Sequence, residues 1–253
     1  MLTLFGRINH SRATSPLPLF TLVSLLLTAC AQPKPRTESN AATKPAQGTA
    51  TVTAVKGKAE ASPKPTSVGK EWTSLFDGKT LAGWTINDFA GGGEVKIENG
   101  QIVLHSGLAL TGVSWTNELP KMNYEIRLEG MKIEGSDFFC CLTFPVRDSH
   151  CSFVAGGWGG GVVGISSIDG MDASENETTK YMNFQKGRWY RIRVRVTPAK
   201  LEGWIDDEQF VDQPIEGRRI SMRPGEIEIA VPFGVATYQT TGALRNIQIR
   251  RLE

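Results

Sequence analysis

From residue 71 to its C-terminus the sequence predicts an all-β, jelly-roll-type sandwich, and three observations predict it. Apolar residues recur at every second position in one short run after another, the period of a half-buried strand. No segment of useful length places apolar residues at helical spacing. Turn formers are frequent, with 27 glycines and 13 prolines in 253 residues. The roughly 180 residues after position 70 exceed an immunoglobulin-type sandwich and suit a jelly roll.

The runs follow in order. "EVKIENGQIVLHS" splits into two alternating segments at Asn99-Gly100, a strong hairpin signal. "NYEIRLEGMKIEG" sets Tyr124, Ile126 and Leu128 on one face and Glu125, Arg127 and Glu129 on the other. "SDFFCCLTF" alternates so that Asp137 shares a face with Phe139, Cys141 and Thr143, opposite Phe138, Cys140, Leu142 and Phe144. "RWYRIRVRVTP" opposes Tyr190, Ile192, Val194 and Val196 to Arg191, Arg193 and Arg195, an arginine row read as a solvated strand face. "LEGWIDDEQFVDQP" reads as two strands about Asp206-Asp207, and "GEIEIAVPFGVAT" and "GALRNIQIRRLE" supply the last two.

The N-terminal part is of another kind. Arg7 and Arg12 precede the apolar run "LPLFTLVSLLLTAC", too short for a comfortable membrane span and typical of a signal peptide. Its end, Leu27-Thr28-Ala29-Cys30, matches the bacterial lipobox, which implies lipidation of Cys30 and removal of residues 1–29. Residues 30–70, rich in Pro, Ala, Thr, Ser and Lys, cannot bury enough surface to offset ordering entropy and read as a tether. The expectation is a domain of residues 71–253, lipid-anchored in the bacterial cell envelope on the periplasmic or outer-membrane face.

Charge and cysteines narrow the chemistry. Lys plus Arg is 28 against 26 Asp plus Glu, so nothing points to nucleic acid. Cys140, Cys141 and Cys151 read as buried thiols, with a bridge from either of the first two to Cys151 as the alternative. The apolar setting does not favour a thiolate nucleophile.

The opening run "EWTSLFDGKTLAGWT" resembles the start of bacterial 3-keto-disaccharide hydrolase domains, on Phe76, Asp77, Gly78, Lys79, Thr80, Leu81, Gly83 and Trp84. "NYEIRLEGMKI", "GRWYRIRVRV" and "ALRNIQIRRLE" resemble later strands of that family, so the likeness spans about 71 to 253 in outline. It implies a concanavalin A-like fold whose concave sheet handles sugar. It also implies a reaction: a ketone at sugar C3 acidifies the hydrogen at C2, a base removes it, the glycosidic oxygen leaves, and water adds. Ordinary glycosidases instead set two carboxylates about an oxocarbenium-like state, and the Glu-x-Asp-x-x-Glu run that glucanases of this fold carry is absent. In the opening run, Asp77-Gly78 is expected to turn the chain and Trp84 to pack.

The middle of the domain departs from the family. Its Asn-Ser-Gly-Val and Glu-x-Gln-x-x-Asp strands are replaced by "GSDFFCCLTFPVRDSHCSFVAGGWGGGVVGISSIDGMDASENETT", so no family catalytic residue carries across. Gly159, Gly161 and Gly164 fit G-x-G-x-x-G, but strand and turn residues follow instead of a helix. Trp158 fits either a sugar-stacking platform or a core residue at a sheet kink. If its face of the strand is the concave one, Asp137 is the best single carboxylate for sugar contact or base work, set against a strand-end charge in solvent. His150, with Asp148 as orienter, is the alternative acid–base pair, set against an exposed loop histidine. Asp169 heads an acidic loop with Asp172, Glu175 and Glu177 whose spacing is not that of an EF-hand. No cofactor is required; a non-EF calcium site is the minor alternative, and no histidine cluster suggests zinc. The candidate set is thus Asp137 and His150 for catalysis, with Trp158, Asp169 and Asp148 for substrate. The functional expectation is a carbohydrate-active envelope domain acting on 3-keto-glycosides. The alternatives are a lectin-like glycan-binding module and a structural or protein-interaction module.

Overall fold

The computed structural model describes residues 71–253; the leader, Cys30 and the tether lie outside the described residues. Fifteen strands follow in order: β1 (Thr73–Ser74), β2 (Trp84–Ile86), β3 (Val95–Glu98), β4 (Gln101–Leu104), β5 (Leu110–Trp115), β6 (Tyr124–Gly135), β7 (Cys140–Val146), β8 (Ser149–Gly157), β9 (Val162–Ser166), β10 (Lys180–Tyr181), β11 (Trp189–Val196), β12 (Lys200–Ile205), β13 (Glu208–Pro214), β14 (Gly234–Tyr238) and β15 (Thr240–Arg251). One sheet runs β13-β12-β11-β6-β15-β4-β3, with β1 also on β15; the other runs β10-β9-β8-β7-β14-β5-β2. The result is the jelly-roll sandwich that the alternation predicts.

The core lies between the sheets. Tyr124, Ile126 and Leu128 of β6 and Tyr190, Ile192, Val194 and Val196 of β11 meet Cys140, Leu142 and Phe144 of β7 and Phe153 of β8. Each large side chain buried this way contributes about 1.5–3 kcal/mol. At the β3–β4 hairpin, Asn99 and Gly100 both take positive φ (51° and 78°), the type I′ geometry that Asn-Gly favours. The opening run is structural. The Asp77 carboxylate accepts from the Lys79 and Thr80 N–H groups at 2.8 and 2.7 Å and from the Thr80 hydroxyl at 2.8 Å. The buried Trp84 indole donates to the Leu75 carbonyl at 2.7 Å.

Three local readings change. "GEIEIA" does not form a strand: Glu226–Ala230 is a 3-10 helix, with Glu228 N–H donating to the Gly225 carbonyl at 3.0 Å. Pro224 and Pro232 flank it, and neither can donate to a sheet ladder. Secondly, β7 begins only at Cys140, and the bend before it puts Phe139 in the core beside Phe184, at 4.9 Å between ring centroids. Phe138 therefore faces outward with Cys141. Thirdly, the arginine row is not simply solvated. Arg195, Glu125 and Arg250 stand side by side across β11, β6 and β15. The enclosed Glu125 carboxylate accepts from Arg193 at 3.0 Å, Arg195 at 2.6 Å and Arg250 at 2.5 Å. Indole rings cover the guanidinium groups, Trp204 3.7 Å from Arg193 and Trp72 4.7 Å from Arg250.

All three cysteines are free and buried. In the β7–β8 ladder Cys140 faces Ala155, Cys141 faces Val154 and Phe144 faces Cys151, so no thiol sits opposite another.

Candidate functional site

The outward face of the seven-stranded sheet carries a pocket of about 360 Å3. Its floor comes from residues that strand alternation turns away from the core: Cys141 on β7, Ser152 and Val154 on β8, Ser166 on β9 and Tyr238 on β14. Three pieces of chain wall it. They are the bend before β7 with Asp137 and Phe138, the turn after β8 with Trp158, and the Arg223–Ile227 segment that enters the 3-10 helix.

The glycine run exists to make the second wall. The β8–β9 ladder slips at Ala155/Gly157, and the N–H groups of Gly160 and Gly161 both reach the Gly157 carbonyl, at 3.1 and 3.2 Å. Trp158 sits at φ 47° and Gly160 at φ 105°. A Cβ at Gly160 would lie 2.6 Å from the Ser136 carbonyl oxygen, so only glycine fits that close approach. The turn delivers Trp158 to the surface, 40% exposed, with the Arg223 guanidinium 5.8 Å from its ring centroid.

Asp137 is pinned to the same turn. One carboxylate oxygen accepts from Phe138 N–H and the other from Gly159 N–H, both at 2.8 Å. Its own N–H donates to the Thr240 hydroxyl at 3.0 Å. Arg223 pairs with Asp172 at 3.0 Å, and Asp172 also accepts from the Ser166 hydroxyl at 2.7 Å. The pocket thus combines aromatic faces (Trp158, Phe138, Tyr238) with a fixed carboxylate, a guanidinium group and two hydroxyls. An apolar cleft with a few convergent polar groups is the usual form of a small-molecule site. Burial pushes the Cys141 thiol up to about 12, which leaves no thiolate for nucleophilic attack.

Of the residues singled out in the sequence, the structure brings together Asp137 and Trp158. Asp148 and His150 stand at the opposite end of the β7–β8 hairpin, where His150 faces Pro145. That is eight positions along from Asp137, roughly 26 Å at a strand's rise. Asp148 pairs with Lys121 at 3.1 Å, not with His150. Burial, and then Lys121, lower the His150 pKa. Asp169 is occupied elsewhere: it accepts from Arg219 N–H at 2.7 Å and Arg218 Nε at 2.6 Å, clasping its loop to residues 218–219. The Arg219 N–H and then Arg218 hold its carboxyl below the usual range. Glu177 pairs with Arg218 as well. Among the described residues, no group of three or more His, Cys, Asp or Glu side chains is placed to hold a metal ion.

Sequence reasoning missed Phe138, Ser166, Arg223 and Tyr238 as pocket residues, and it placed Asp172 in an acidic loop without its link to Arg223. Tyr238 was open to alternation, since Val235 faces the core and residues 236 and 238 share the other side. Arg223 carries no local signal; it reaches the pocket because a non-repetitive segment folds back over the sheet. Asn176, at a formal glycosylation sequon, is buried and bonds through its side chain to Ile165, Met171 and Thr178.

Residues 71–250 match the sequence profile of the 3-keto-alpha-glucoside-1,2-lyase-like domain. No curated protein matches the chain. Among solved structures, a candidate glycosyl hydrolase of Parabacteroides distasonis is 15% identical with a TM-score of 0.48, covering 72% of this chain and 94% of that one. A carbohydrate-binding module from Bacillus subtilis is 11% identical with a TM-score of 0.43, covering 66% and 95%. The fourth domain of an extracellular arabinanase from Geobacillus stearothermophilus, in complex with arabinotriose, is 14% identical with a TM-score of 0.44, covering 66% and 82%.

Proposed function

The chain belongs to the 3-keto-alpha-glucoside-1,2-lyase-like family, and on that footing we propose that the pocket beside Trp158 takes a 3-keto-glycoside and cleaves it by elimination and hydration. The observation that carries this reading is that Asp137 and Trp158 wall one pocket together with Arg223. A pyranose ring lies against the aromatic faces, and the Ser152 and Ser166 hydroxyls are within the same pocket for its hydroxyl groups. Each Asp137 oxygen has accepted one backbone N–H and keeps a lone pair. The carboxylate takes the C2 proton while Arg223 balances charge on the C3 oxygen. The electron pair of the C2–H bond becomes the C1=C2 bond, the C1–O bond breaks, and the departing oxygen takes a proton. Water then adds across the double bond, giving the free 3-keto sugar. Cys30, lipidated, and the tether of residues 31–70 hold the domain at a membrane of the cell envelope.

The test is release of the aglycone from 3-keto-glucosides. Wild-type turnover that falls about 100-fold or more in Asp137→Asn supports a base at this position. Failure to cleave any of a panel of such substrates overturns the enzymatic reading. A second reading is glycan binding without turnover, favoured because Asp137 is already tied to two N–H groups and Arg223 to Asp172. It predicts glycan retention that weakens in Trp158→Ala, with no product released by the wild type.

A further inference from the structure

Lys132 takes no part in that pocket. On β6 the core-facing row runs Tyr124, Ile126, Leu128, Gly130 and then Lys132, so an ammonium group continues a line of core residues. The residue is 4% exposed. Among the described residues its Nζ makes no hydrogen bond or ion pair, and the Phe139 ring centroid is 5.9 Å away. Asp137 acts on it only through space, because its two oxygens point to Phe138 and Gly159 N–H groups. Burial lowers the Lys132 pKa; Asp137 opposes that change and Lys186 adds to it. The stem of Lys132 is enclosed, while its partly desolvated ammonium group has no partner among the described residues, so an anion reaching it would supply the missing one.

The amine opens on a second hollow, about 490 Å3, on the far side of the Trp158 turn. Lys186, Asn183, Tyr181 and the backbone of Gly159–Gly161 line it, and no carboxylate does. A Cβ at Gly160 would come 3.2 Å from Lys132 Nζ, so glycine there keeps the amine uncovered. Tyr181, 74% exposed, presents an aromatic ring beside the two ammonium groups. That pairing suits a charged pyranose better than a bare inorganic anion.

We propose that this hollow is an anion subsite that takes the carboxylate of an acidic sugar, paired with Lys132 and Lys186. The proposal rests on the preceding reading only in taking the ligand to be a saccharide. The test is titration of the protein with glucuronate, glucose and sulfate, followed by amide shifts of Gly159, Gly160 and Gly161. Glucuronate is expected to move these amides at concentrations where glucose does not, with an affinity that falls about tenfold or more in Lys132→Met. Lys132→Met removes an unpaired, partly desolvated charge from a mostly apolar setting and should melt no lower than wild type. Lys186→Gln, on the surface, gives an independent loss. Equal responses to glucose and glucuronate, an unchanged Lys132→Met, or a response to sulfate alone overturns the proposal. The two readings fail separately. An unresponsive hollow leaves the Trp158→Ala effect on neutral glycans in place, and an inert Trp158 pocket leaves the glucuronate response in place.

Discussion

Replacing Glu125 with glutamine tests the ion cluster on the eight-stranded sheet. The side chain keeps its size, but three guanidinium groups at 2.5–3.0 Å lose their shared anion. Removing one partner from a buried ionic cluster costs about 3–5 kcal/mol. The arginine side chains are about a third exposed, which places the expected loss near the lower end, about 3 kcal/mol. For a domain of this size that is a fall in Tm of about 6–12 °C, read by circular dichroism on the mature chain at pH 7. The pH dependence gives a second reading. Burial raises the Glu125 pKa, but the hydrogen bonds and charges of Arg195 and Arg250 more than reverse this and leave it below its ordinary value. A group depressed in the folded state stabilises above its unfolded pKa, about 4.3, and that contribution disappears as pH falls through the folded value. The gap between wild type and Glu125→Gln should therefore be widest at neutral pH and close in acid. Melting temperatures within about 1 °C at pH 7, or a gap unchanged into acid, would refute the reasoning.

Other outcomes follow from the structure and, for the anchor, from the sequence. Gly83 has φ 80°, and a Cβ there would lie 2.6 Å from the Trp115 ring, so Gly83→Ala should cost at least about 2 kcal/mol in urea unfolding. Burial raises the pKa of Cys140, Cys141 and Cys151, so the native protein at pH 8 should resist a disulfide reagent that titrates all three thiols in denaturant. Cys30→Ala should abolish labelling by a fatty-acid probe and release the domain from the membrane fraction, as the proposed anchor requires.

The fold was legible because it depends on a period of two. Asn99-Gly100, the alternation of β6 and β11 and the strands about Asp206-Asp207 all come from local chemistry that the sequence states outright. Alternation misled only where a strand had not yet begun, at Phe138 and Phe139, and where prolines broke an apparently alternating run at Glu226–Ala230. The pocket was half legible. Asp137 and Trp158 stand out as a carboxylate at a strand end and an aromatic among glycines. Their proximity depends on one hydrogen bond, Gly159 to Asp137, between residues 22 positions apart. Arg223 and Asp172 meet over a longer separation, and no local pattern encodes that. The burial of Glu125 follows from which strands flank β6, which is a matter of sheet order rather than of the run containing it.

The turn from Gly157 to Gly161 is one short piece of backbone that faces two hollows, with Trp158 on one side and the bare glycines on the other. A substitution within this turn alters a wall of both hollows at once, whereas one on the outer walls, at Arg223 or Lys186, alters a single hollow. Variants of the turn are therefore to be assayed at both hollows, and variants of the outer walls at one.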